Sequence, residues 1–155
     1  MASPPTEVTL PVTWRPLGVR VAVWFFGVML AVVLVGAWIA IGADERAHIS
    51  PYQRGTLIAM ALGGLAIGYG LVRCKIVATR AGLEVVNGYR THTFEWAEVL
   101  AVELSGGAPW ATLDLADGTS VSALALQGAD GERATRAVRQ LRRLLAVHSA
   151  PGGGS

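Results

Sequence analysis

Residues 21–43 read VAVWFFGVMLAVVLVGAWIAIGA, 23 positions without an Asp, Glu, Lys, Arg or His. Residues 55–72, GTLIAMALGGLAIGYGLV, form a second run of 18 with the same property. A helix rises 1.5 Å per residue, so about 20 apolar residues cross the ~30 Å hydrocarbon core of a bilayer. The first run spans comfortably. The second is at the short end and borrows a flanking residue or two. This pair predicts a two-helix transmembrane hairpin over 17–72, with helices at 17–42 and 55–72.

Working outward, the composition agrees. Hydrophobic residues make up 52% of the 155 positions and charged residues 15%, where a soluble domain carries about 25% charged. The deficit is concentrated in the two runs. The first begins behind a proline-punctuated leader (Pro4, Pro5, Pro11, Pro16) and exceeds the 7–15 apolar residues of a signal peptide, so it is expected to be an uncleaved anchor. Residues 1–16 read as a flexible leader. Trp24 and Trp38 fall near the two ends of the first span, where amphipathic rings favour the lipid–water boundary.

Orientation follows the distribution of positive charge. Arg15, Arg20, Arg73, Lys75 and Arg80 flank the hairpin on its outer sides, and Arg46 and Arg54 lie in the connector. Five against two places both termini in the cytoplasm, with the chain a multi-pass protein of the inner membrane. The single cysteine, Cys74, allows no intrachain disulfide, as suits a reducing compartment.

After Val72 the pattern changes to short alternating runs separated by turn signals. Strands are expected at 75–79, 83–86, 89–95, 99–104, 110–115 and 119–124, with hairpin turns at Asn87-Gly88 and Asp117-Gly118. A helix closes the chain. Asp130 is its candidate N-cap. Ala134, Val138, Leu141, Leu144 and Leu145 form one face, and Arg136, Arg139, Arg142 and Arg143 the other. Residues 73–148 thus form one small domain, and 149–155 a flexible Gly-rich tail.

The run Val77-Ala-Thr79-Arg80-Ala-Gly82-Leu83, followed by Phe94-Glu-Trp96-Ala-Glu-Val99, resembles the bacterial pleckstrin-homology (PH) domain, in which a T-x-x-G-L hairpin precedes a Trp-containing turn. Two spans followed by this domain are similar to the actinobacterial membrane proteins related to low molecular weight protein antigen 6. The resemblance implies a membrane-anchored α+β chain: a transmembrane hairpin, then a PH-like β-sandwich or barrel capped by an amphipathic helix. It supplies no mechanism. Phosphoinositide-binding PH domains carry several basic residues around the first hairpin, whereas this hairpin has Lys75 and Arg80, with Arg73 before it and Arg90 beyond.

No catalytic, cofactor or metal site is expected. His48, His92 and His148 lie in three different segments, without metal-ligand spacing to one another or to Cys74. No nucleotide-binding or nucleophile-elbow motif occurs. The carboxylates of Glu95, Glu98, Glu103 and Asp114 read as solvated strand residues. Net charge is +2, and acidic residues nearly cancel basic ones in the domain, which argues against nucleic acid. Trp96 and Trp110 read as core residues, and Cys74 as a buried or lipid-shielded thiol.

Three surfaces remain. Arg73, Lys75 and Arg80 are candidates for anionic-lipid contact. Arg136, Arg139 and Arg143 are candidates for docking an acidic partner or the membrane surface. Gly64 and Gly68 form a GxxxG seam, either against the first span or against a second copy. The expected function is a non-enzymatic binding or scaffold module that steadies a protein partner at the membrane. Lipid sensing and a structural role in a larger complex stand as alternatives.

Overall fold

The computed structural model describes residues 9–149. They divide into two compact units: residues 18–72, and a unit built from the chain up to residue 17 together with 73 onward.

The first unit holds helices α1 (Leu17–Ala40), α2 (Ala43–His48) and α3 (Pro51–Arg73). α1 and α3 have 24 and 23 residues and are long and apolar enough to cross a membrane. The connector expected between them contains the short helix α2. Its polar residues bond locally: the Glu45 carboxylate accepts the Gly42 N–H at 3.0 Å, and the Arg46 Nε donates to the Ile41 carbonyl at 2.8 Å. The Arg46 guanidinium lies 5.5 Å from the Trp38 ring centre. α3 starts earlier than the charge-free run suggests. Ser50 and Gln53 cap it reciprocally, at 3.3 and 2.9 Å, and Pro51 occupies the first helical position, where a missing N–H costs nothing.

The second unit is an antiparallel α+β sandwich. Strands β1 (Val12–Trp14), β2 (Lys75–Ala78), β3 (Gly82–Asn87) and β4 (Arg90–Glu95) form one sheet in that order. Strands β5 (Val99–Glu103), β6 (Trp110–Leu115) and β7 (Ser120–Gln127) form the other. Helix α4 (Glu132–His148) packs Ala134, Ala137, Val138, Leu141, Leu144 and Leu145 into the core. Ile76, Leu83, Val85, Val99, Val102 and Leu113 meet it from the strands.

Three expectations are corrected here. The leader read as flexible over 1–16 contributes β1, paired in register with β2 (Val12 with Ala78, Trp14 with Ile76). The domain therefore does not begin at residue 73: the helical unit is inserted between two neighbouring strands of one sheet. Asp130 does not cap α4. Gly131 holds that position at φ 56°, and the Asp130 carboxylate instead accepts the Leu17 N–H at 3.2 Å. Trp110 is 40% exposed, because it opens β6 on the face turned away from Ala111 and Leu113. Residues 1–8 and 150–155, the rest of the leader and most of the expected tail, lie outside the described residues.

Candidate functional site

The Thr79–Gly82 turn shows what the T-x-x-G-L motif does physically. The Thr79 hydroxyl accepts the Gly82 N–H at 3.2 Å and lies 3.0 Å from its carbonyl. The Thr79 N–H donates to the same carbonyl at 2.8 Å. A side chain at Gly82 would run into the backbone carbonyl of Phe94. Leu83 is fully buried, and Trp96 is 6% exposed. The Trp96 indole donates to the Thr79 carbonyl at 3.1 Å and stacks on His148 with ring centres 4.6 Å apart. The motif is thus a scaffold joining the first hairpin, the Trp turn and the end of α4. Its turn is closed on itself and forms no cradle.

The first basic group is dispersed. Lys75 Nζ lies 3.3 Å from Glu84 Oε1, so its charge is matched locally. Arg73 is exposed at the end of α3 and Arg80 is exposed in the turn at the opposite end of β2. Five residues of extended chain separate Lys75 from Arg80, roughly 16 Å.

The second group is brought together. Arg136, Arg139 and Arg143 project from α4 on the side opposite its buried residues, and all three are exposed. Their i, i+3, i+7 spacing makes one vertical patch. None of them, nor Arg133, forms an ion pair among the described residues. Glu132 is the one acidic residue of α4. Arg142 stands apart from this face: its Nε donates to the Val102 carbonyl at 2.7 Å, tying α4 to β5.

The glycines differ from each other. A Cβ on Gly68 would sit 3.2 Å from Val23 Cγ1 of α1, whereas one on Gly64 would meet nothing within 4 Å. Gly68 serves close packing inside the hairpin, and Gly64 faces outward.

Glu98 and Asp114, two of the four carboxylates expected in or beside strands, make local hydrogen bonds. Glu98 accepts the Glu95 N–H at 2.7 Å, and Asp114 accepts from the Ser120 hydroxyl at 2.9 Å. No three His, Cys, Asp or Glu residues come together as a metal site among the described residues. Cys74 is buried and its sulfur accepts the Gly88 N–H at 3.2 Å.

Residues 73–144 match the model of the bacterial PH domain. Uncharacterised proteins from Mycobacterium tuberculosis H37Rv and from Mycobacterium bovis are each 31% identical over 143 residues, covering 90% of this chain and 89% of the relative. This chain belongs to one family with these mycobacterial proteins, and it carries a bacterial PH domain at 73–144. No solved structure matches it. The family match opens at Arg73, so β1, which completes the first sheet of this bacterial PH domain, lies outside the matched stretch. Sequence reasoning also passed over Trp14 and the exposed Tyr89. The first carries no local strand signal. The second, expected to open the strand 89–95, lies instead in the turn before β4.

Proposed function

We propose that this bacterial PH-domain protein is a non-enzymatic scaffold anchored in the inner membrane, with its PH domain cytoplasmic, that steadies an acidic protein partner there. The observation that carries the reading is the α4 patch of Arg136, Arg139 and Arg143: exposed, vertically aligned, and without an ion-pair partner among the described residues. Like charges held at helical spacing repel one another, so an anionic surface that neutralises them is favoured and steers association at low salt.

The pairing of β1 with β2 supports the membrane topology, because it requires residues 12–14 and 75–78 to lie on one side. Two crossings satisfy that. The same arrangement supports kinship with the proteins related to low molecular weight protein antigen 6.

The test is quantitative crosslinking in native membranes, with photoreactive groups placed beside the patch at the exposed Thr135 and Ala146. A defined crosslinked species that disappears in R136E/R139E/R143E, while chain abundance is unchanged, supports the reading. A crosslink pattern indifferent to that triple change contradicts it.

A further inference from the structure

Helix α4 offers more than three arginines. Its buried residues, from Ala134 to Leu145, fix which side of the helix faces outward. At about 100° per residue the centre of that outer side is one ridge: Glu132, Arg136, Arg139, Arg143 and Ala146. All five are exposed, and Val147 beside Ala146 is 66% exposed. The ridge advances in alternating steps of four and three residues. That alternation is the seam along which a second helix packs. Here the middle of the seam is cationic and its C-terminal end is apolar.

The side chains lie along the ridge. Arg136 Nε donates to the Glu132 carbonyl and Arg139 Nε to the Thr135 carbonyl, each at 3.4 Å. Neither they nor Arg143 form an ion pair among the described residues. Along the axis the three arginines are separated by about 4.5 and then about 6 Å. An acidic helix with carboxylates at the same alternating steps meets each one in turn. An extended strand repeats its same-face side chains about every 6.7 Å, and is about 3 Å out of step at the third arginine. A membrane surface suits the ridge less well. Surface helices insert an apolar face, and the apolar face of α4 is already buried in the core, which leaves Val147 as its one exposed large hydrophobic residue.

We infer that the α4 ridge docks an acidic helix of a partner protein, antiparallel to α4, with Glu or Asp at alternating steps of three and four and an apolar side chain against Ala146 and Val147. This rests on the reading of α4 as the site of an acidic partner, and gives that partner's binding segment a form. Charge complementarity selects the acidic side chains. The antiparallel direction sets the partner's N-terminus, where acidic residues are favoured, beside the C-terminal end of α4, so that opposite dipole ends meet. A basic residue of the partner then falls opposite Glu132.

The test uses the full chain in phosphatidylcholine nanodiscs and fluorescent Ala-rich peptides of about 20 residues, long enough to be helical alone. The first peptide carries Leu, three Glu and Lys along one face at alternating steps of three and four. The second has the same composition with its Glu residues spread around the helix. The third is the first interrupted by proline. Anisotropy at low and physiological salt reads the affinities. The expected result is about tenfold tighter binding of the patterned helix than of either control. R136E/R139E/R143E loses that binding and takes up the same pattern with Arg in place of Glu, as a folded variant must. Val147→Glu weakens the patterned helix several-fold. Equal affinity of the three peptides, lost in the triple variant, overturns the helical form and leaves an acidic partner standing. No binding of any peptide at low salt overturns the acidic partner as well. An environment-sensitive dye on A146C that shifts to the blue when phosphatidylglycerol enters the nanodisc, with no peptide present, assigns the ridge to headgroups and overturns the inference.

Discussion

Trp14 donates its indole N–H to the side-chain oxygen of Gln140 at 3.2 Å, across 126 positions of chain. One residue precedes the helical hairpin and the other lies in the last helix. The bond, with the β1–β2 ladder and the buried Pro16, fastens the segment before the helical insertion to the sheet and last helix that follow it. The first sheet of the domain thus includes a segment that the family match does not.

The first prediction concerns that closure. Trp14→Ala removes a half-buried ring and one side-chain hydrogen bond. The expected loss is about 2–3 kcal/mol, from buried apolar area and the unpaired Gln140 together. Thermal unfolding of the full chain in detergent measures it. A fragment beginning at Arg73 should unfold at lower temperature than the full chain's PH domain. Equal stability would mean that β1 is ornamental.

Gly82→Ala tests the hairpin motif. The added methyl meets the Phe94 carbonyl and lies 3.1 Å from the Glu95 Cα, both of them backbone that cannot swing aside. Overpacking of this kind costs about 3 kcal/mol. Trp96 fluorescence should redden as its bond to Thr79 loosens. An unperturbed melting temperature would contradict the assigned geometry.

The helix pair gives a contrast within one motif. Gly68→Leu must push α1 and α3 apart at Val23, costing about 1–3 kcal/mol. Gly64→Leu meets open space and leaves the hairpin's stability unchanged. Detergent-resistant association of the full chain, followed by analytical ultracentrifugation, shows whether Gly64 serves a second copy: loss of association in Gly64→Leu would assign it that role.

Much of this architecture was legible in the chain. The hairpin declared itself through two charge-free runs, and six strands through period-two alternation between Asn87-Gly88, Asp117-Gly118 and the Trp96 turn. What escaped is non-local. β1 is three residues flanked by prolines, and its partner lies beyond the whole insertion, so no neighbouring pattern marks it. Asp130 has the right chemistry for a cap, but a backbone N–H of Leu17 competes for its carboxylate. Trp110 reads as core by hydrophobicity alone, and only the face it takes on β6 exposes it. The α4 patch was visible from spacing.

A pH prediction follows from the second hairpin turn. Asp117 accepts from the Thr119 hydroxyl at 2.7 Å and from its N–H at 2.8 Å. The side-chain bond first, and the backbone bond second, hold its carboxyl below the ordinary aspartate value. A depressed folded value means the ionised form is the one stabilised. The contribution is present above the unfolded value and is lost as pH falls through the folded one. Thr119→Val removes the hydroxyl donor and should raise the carboxyl's titration midpoint, read by NMR of the side-chain carbon. An unmoved midpoint would exclude the hydroxyl as the cause.

The central claim is that the helical hairpin inserted into the sequence of this PH domain crosses the membrane twice. Single cysteines at Thr13, Ala47 and Arg80, each at an exposed position, are probed in intact cells with a membrane-impermeant maleimide, then again after membrane disruption. The account predicts that position 47 reacts in intact cells, and that 13 and 80 react together, only after disruption. Reaction of 13 and 80 from opposite sides, or of 47 from the same side as 80, would contradict it.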